Sequence, residues 1–271
     1  MMETKPLSSV EIDHARARAE LPALSQRVAA LIRSVPDPEA PIPNSEWRIA
    51  DAASHLVCAV GWHIDFARGW RSPILPGEGP VANASKIAEL GERQPDRLAK
   101  LYLDRVQTYL DVTESLPGDK PVHFHYGIVI TLSLVSCLAM GESMVHTYDI
   151  AKAAKKPWLI DPQAASLFMG AIAPVMPFLL LPDKISGLNA AFRFRIRGGP
   201  SYVVRIDDGR PSVEAVARGS VDATISLDPV AAFLLLYGRV TQWSLLPTGK
   251  VMVWGRKPLL GMKYGSLQAK P

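Results

Sequence analysis

The segment from Gly141 to Ala151, GESMVHTYDIA, decides how this chain is read. Val135, Leu138, Glu142, Val145 and Asp149 recur at three- and four-residue spacing, the period of one helical face. Glu142 therefore continues the apolar stripe of its own helix, where a carboxylate is costly unless paired or bound to a cation. His146 stands one turn further along the same face, so an oxygen and a nitrogen can be offered to one ion. The same spacing also serves a plain Glu–His hydrogen bond or two solvated side chains, and by itself it does not choose.

Outward from this segment, the helix extends over about 128–154, and a further helix covers about 161–179. The apolar run from Tyr126 to Gly141 is shorter than the roughly 20 residues that span a bilayer. Upstream, Leu21, Leu24, Val28 and Leu31 mark an amphipathic helix, with Pro22 at a start or kink, and the Pro-rich stretch 35–45 ends it. A second helix opens near Trp47 and carries Leu56, Val60, His63, Ala67 and Trp70 on one stripe. A third covers about 85–115. Past Leu181 and Pro182 the texture changes. FRFRIR, residues 192–197, alternates with a period of two, as a half-buried strand does. Further strands are expected over 202–206, 213–216, 223–227 and 250–254, with helices over 229–237 and 258–267. Asp228 before Pro229 reads as an N-cap with proline at the first helical position. The expected fold class is α plus α+β, a helical bundle over residues 1–182 followed by a small α+β domain over 183–271.

Composition bounds the function classes. Hydrophobic residues make up 48% of the 271 and charged residues 21%, ordinary for a globular protein. The net charge of +4 is spread along the chain without a Lys/Arg run, so neither nucleic acid nor membrane is an expected partner. The N-terminal stretch carries no apolar signal-peptide core, and a cytoplasmic location is expected. Cys58 and Cys137 sit in apolar helical stretches and read as buried hydrophobes rather than a disulfide.

His55 lies within DAASHL, with Ala52 and Ala59 one turn away on either side leaving room for an inward imidazole. Two histidines and a glutamate with a fourth position open form a ligand set used by catalytic zinc. A histidine satisfied by a backbone carbonyl is the alternative for His55 alone.

SEWRIADAASHL, residues 45–56, resembles the second-helix signature of the mycothiol-dependent maleylpyruvate isomerase-like proteins, relatives of the DinB-like metal enzymes. ESMVHTYDIA, residues 142–151, resembles their E-x-x-x-H-x-x-D-I-A segment, and 223–239 with 251–255 resemble their sterol-carrier-like C-terminal domain. The resemblance implies a DinB-like up-down bundle holding a divalent metal, zinc first, through His55, Glu142 and His146. It further implies a low-molecular-weight thiol, mycothiol in the family, whose thiolate adds to an alkene in the isomerase version or displaces a leaving group in the S-transferase version. A bound dication lowers a thiol pKa from its free value of about 8.5. Arg239 matches the family's C-terminal Gly-Arg, a catalytic or substrate-binding group; a guanidinium clamps a carboxylate well, but it also covers a helix C-terminus well. The substrate and the oligomeric state are not given by the resemblance.

Asp149 and Asp51 are each placed to orient a ligand imidazole, Asp149 from three residues past His146 and Asp51 from one turn before His55. A structural role serves either equally, and for Asp51 this is the helix N-terminus. His63 reads as a core histidine, His123 and His125 as surface or pocket-mouth residues, and the row Arg193, Arg195, Arg197 as a solvated strand face. Two other classes stand beside the enzyme: a carrier that holds an apolar ligand in its back half with a structural metal, and a DinB-like stress protein.

Overall fold

A computed structural model of the protein describes residues 13–269. They form two compact units, one ending at Ile160 and the other beginning at Asp161. In the first, α1 (His14–Arg33), α2 (Ile49–Ala67), α4 (Pro95–Thr113) and α5 (Leu132–Ala153) make a four-helix bundle, and α3 (Gly79–Leu90) lies on α2. α1 and α2 each pack against both α4 and α5, so α4 and α5 stand across the bundle from one another.

Two buried tyrosines reach across that diagonal. Tyr102 and Tyr109 on α4 lie 2.6 Å from Ser143 and Ser136 on α5, respectively. The higher-numbered tyrosine meets the lower-numbered serine, so the two helices run antiparallel. Ser143 donates its own hydroxyl proton to the Ala139 carbonyl at 2.7 Å, which leaves Tyr102 as the donor to Ser143 Oγ.

The third expected helix is two helices. Gly91 ends α3 in the left-handed conformation, φ 62°, and Pro95 takes the first position of α4, where its missing N–H costs nothing. The start of α5 also differs from expectation. The β-branched residues Val129, Ile130 and Thr131 form β2 (Val129–Thr131), antiparallel to β1 (Pro121–His123), and the helix begins only after Thr131, whose hydroxyl accepts the Leu134 N–H. Pro22 is accommodated inside α1, which already begins at His14.

The second unit begins with α6 (Pro162–Ala171), capped by Asp161. Pro174 and Pro177 then turn the chain into a 3-10 stretch, Ala173–Leu179, so the single helix expected over 161–179 is divided. After α7 (Pro182–Ile185) come β3 (Ala190–Ile196), β4 (Ser201–Asp207), β5 (Arg210–Glu214), β6 (Ala223–Leu227), α8 (Pro229–Leu236), α9 (Gln242–Leu245), β7 (Val251–Trp254) and α10 (Pro258–Lys263). The sheet order is β5-β4-β3-β6-β7, with β3 and β6 parallel and the other pairs antiparallel. α10 lies so close to the sheet that a Cβ on Gly261 would come within 2.7 Å of Ala223 and Val253. The texture change near residue 183 marks the strands, whereas the compact unit starts earlier because α6 packs on α8.

Both cysteines are buried free thiols. Among the described residues no single helix is long and apolar enough to cross a membrane.

Tyr102→Phe is expected to cost ~1 kcal/mol by urea denaturation, since it removes one buried hydrogen bond without opening a cavity. Adding Ser143→Ala to it should cost less than the sum of the two single changes, because both remove the same bond.

Candidate metal centre

α2 and α5 bring together the three residues singled out in the sequence. His55 Nε2 lies 3.1 Å from Glu142 Oε2, and His146 Nε2 lies 3.2 Å from the same oxygen. One donor atom from each residue falls within 4.8 Å of the others. His55 is buried, His146 nearly so, and the Glu142 side chain keeps 25% of its surface open.

The charges follow from these contacts. Burial opposes ionisation of Glu142, yet hydrogen bonds from His146 and His55 outweigh it and hold the carboxyl well below the usual carboxylate range. Burial pushes the His55 pKa down, against the pull of Glu142. Burial also opposes protonation of His146, but Asp149 and Glu142 overcome it and raise that pKa. His146 Nδ1 lies 3.6 Å from Asp149 Oδ2, an electrostatic contact rather than a full hydrogen bond.

Asp51 does not orient His55. One of its oxygens accepts the Arg48 N–H at 2.8 Å and the other accepts Arg93 at 2.8 Å. An aspartate in the first turn is drawn to the unpaired N–H groups and positive end of its own helix. His55 Nδ1 is buried without a hydrogen-bond partner among the described residues.

Trp47, read above near the opening of the second helix and within the quoted 45–56 segment, belongs to the cluster. It lies in the loop before α2, with its ring centroid 4.9 Å from that of His55 and 5.3 Å from that of His146. The two imidazoles meet edge to face at 4.7 Å. A loop-to-helix ring contact has no sequence period to reveal it; the only cue was an aromatic directly before the helix that carries His55.

The remaining histidines fall elsewhere. His63 is buried in the bundle, where burial drives its pKa down to about 4. His125 is half-buried against Trp62 and Phe66, its Nδ1 2.6 Å from Ser72 Oγ, and burial brings it to about 4 as well. His123 is half-buried on β1. Arg193 and Arg195 are exposed, as a solvated strand face requires, and Arg197 donates to the Gly249 carbonyl.

Arg239 lies in the second unit, just past α8, where its guanidinium donates to the Tyr237 carbonyl at 2.7 Å. That unit also contains an apolar cavity of about 290 Å³ lined by residues that include Met169, Phe194, Leu236, Trp243 and Tyr264. The Tyr264 hydroxyl is buried without a hydrogen-bond partner among the described residues.

Residues 180–268 match the SCP-2 sterol transfer family. No curated protein matches the chain. Among solved structures, the mycothiol-dependent maleylpyruvate isomerase is similar at 13% identity, over 89% of this chain and 93% of that one, with a TM-score of 0.53. A histidine-to-alanine mutant of that isomerase is similar at 12% identity, over the same shares of each chain, with a TM-score of 0.52. At such identities the likeness is one of fold, and that fold is the mixed one expected: N-terminal helices followed by an SCP-2 domain with its sheet.

Acid should expose the buried His63. Its pKa is about 4 when folded against 6.5 ordinarily. Below pH 6.5 the unfolded chain takes up a proton that the folded chain refuses. Stability is therefore fully present above 6.5 and is lost as the pH falls toward 4, by about 3 kcal/mol at most from this one residue. In chelated protein, the loss of urea stability between pH 7 and 4.5 should be visibly smaller in His63→Leu than in wild type. Equal losses would show that His63 does not drive it.

Proposed function

We propose that His55, Glu142 and His146 bind a divalent cation, zinc being the best match, and that the protein is a thiol-dependent isomerase or S-transferase acting on a small electrophile. The observation that carries this reading is the convergence of two imidazole Nε2 atoms on one carboxylate oxygen, from two helices, at 3.1 and 3.2 Å. Two histidines and one carboxylate leave a coordination position open, as catalytic zinc sites do.

The residues suit the ion in charge as well as in position. Glu142 is ionised and His55 is held toward its neutral form, the states in which each donates electrons to a metal, while His146, whose pKa is raised, gives up a proton on ligation. Ligation through Nε2 leaves each ring proton on Nδ1, and at His146 that atom faces Asp149, which we assign to orienting the ring. When bound, the cation would supply a net positive charge that favours the thiolate of a small thiol such as mycothiol over its thiol form. Arg239 is proposed as the group that grips a substrate carboxylate with its two-pronged guanidinium. The fold likeness to a mycothiol-dependent isomerase supports the choice of thiol. Nucleic acid and membrane have no place in this chemistry, and the location it implies is the cytoplasm.

A second reading, an apolar-ligand carrier with a structural metal, is favoured by the apolar cavity in the second unit. A protein that holds metal, does nothing with thiols and yields an apolar molecule on solvent extraction would belong to that class.

Purified protein should contain about one divalent ion per chain by elemental analysis, and His55→Ala or His146→Ala should lose it, because two ligands do not make a zinc site. Full occupancy in both variants would refute the ligand assignment. Turnover should require added mycothiol; an undiminished rate without any thiol would point to hydrolysis instead.

Arg239→Lys keeps the charge and loses the fork. It should lower turnover roughly 10-fold, about 1.4 kcal/mol, with the melting temperature little changed. Early melting with normal turnover would reduce Arg239 to a cover for the end of α8.

A further inference from the structure

We infer that Trp47 is the positioning residue that holds both imidazoles of the cluster in their ligating orientation, an inference that rests on the metal-binding reading of His55, Glu142 and His146. Proteins commonly fix a ligand histidine by giving its second ring nitrogen a hydrogen-bond acceptor. That device is missing at His55, whose buried Nδ1 has no partner among the described residues, and it is stretched at His146, where Asp149 stands 3.6 Å away. A ring surface takes its place.

The indole meets both imidazoles, tilted at 42° to His55 and 41° to His146, while the imidazoles stand at 78° to each other. Three rings in mutual contact leave little freedom for any one of them to turn. With the Nε2 atoms directed at Glu142, rotation of either imidazole about its Cβ–Cγ bond must sweep against its neighbour or the indole.

The loop that presents Trp47 is itself clamped. Its carbonyl accepts the Ile42 N–H at 2.9 Å, its N–H donates to Ser45 Oγ at 3.1 Å, and the Ile49 N–H returns to the Ala40 carbonyl at 3.1 Å. Arg93, between α3 and α4, grips both oxygens of Glu39 at 2.7 Å each and one oxygen of Asp51 at 2.8 Å, tying the loop to the start of α2. Asp51 thus belongs to the frame that carries Trp47, without touching the histidines. Trp47 is itself partly exposed.

The test is cobalt affinity by chelator competition in wild type, Trp47→Ala and Trp47→Phe, with melting temperatures of the metal-free proteins alongside. Trp47→Ala should bind Co²⁺ at least 10-fold more weakly, within the range seen when residues supporting metal ligands are removed, and Trp47→Phe should recover most of the loss. Co²⁺ should quench tryptophan emission in wild type, with the quenched share largely gone in Trp47→Phe. Wild-type affinity in a folded Trp47→Ala overturns the inference, as does quenching that Trp47→Phe leaves unchanged. Should the alanine variant not fold, Trp47→Leu takes its place, with the same outcomes deciding. A wild type that takes up no cobalt instead removes the metal reading itself, before any variant is compared.

Discussion

A single carboxylate oxygen, Glu142 Oε2, stands between two imidazole nitrogens from different helices, and the arrangement of the bundle turns on it. An ionised group inside a helical bundle loses much of its hydration, a loss that only close partners offset. Here the partners are His55 on α2 and His146 one turn along α5. Removing either would leave the carboxylate under-compensated, so α2 and α5 must keep both their spacing and their rotation. The same helix answers a second polar demand on another side, where Ser136 and Ser143 receive the tyrosines of α4. α5 is therefore buried around nearly its whole circumference yet carries two polar rows.

The cluster was legible because a carboxylate on an apolar stripe is an energetic anomaly, and anomalies stand out in a sequence. Glu142 and His146 share one period, and His55 sits between small residues that make room for it. Trp47 was not legible as a site residue, since what brings it to the histidines is the path of a loop and the grip of Arg93 on Glu39 and Asp51. Asp51 was misplaced for a related reason. One turn of sequence separation is compatible both with orienting His55 and with satisfying the helix start, and the unpaired backbone N–H groups won.

The fold was read well where pattern and structure share a period. FRFRIR became β3, and the capping signature at Asp228 and Pro229 became α8. It was read poorly where apolar periodicity ran through a break. Residues on both sides of Gly91 fit a helix, so the turn that separates α3 from α4 was passed over despite its glycine and the proline that follows. The apolar run leading into α5 concealed β2 in the same way, because a continuous apolar stretch does not distinguish a buried strand from a buried helix. The boundary near residue 183 followed a change of texture, whereas compactness follows packing, and α6 packs with what comes after it.

The parallel pairing of β3 with β6 has a consequence for how the second unit assembles. β4 and β5 form on one side of β3 as a local meander. The other side waits for a strand that begins only at Ala223, opposite Phe192, after the meander is complete. Closing that gap requires a non-local contact, which slows folding relative to the hairpins beside it. Until β6 arrives, the growing chain presents an open strand edge with alternating apolar residues, the kind of edge that pairs with other chains. The middle of the finished sheet is thus its most vulnerable edge during synthesis.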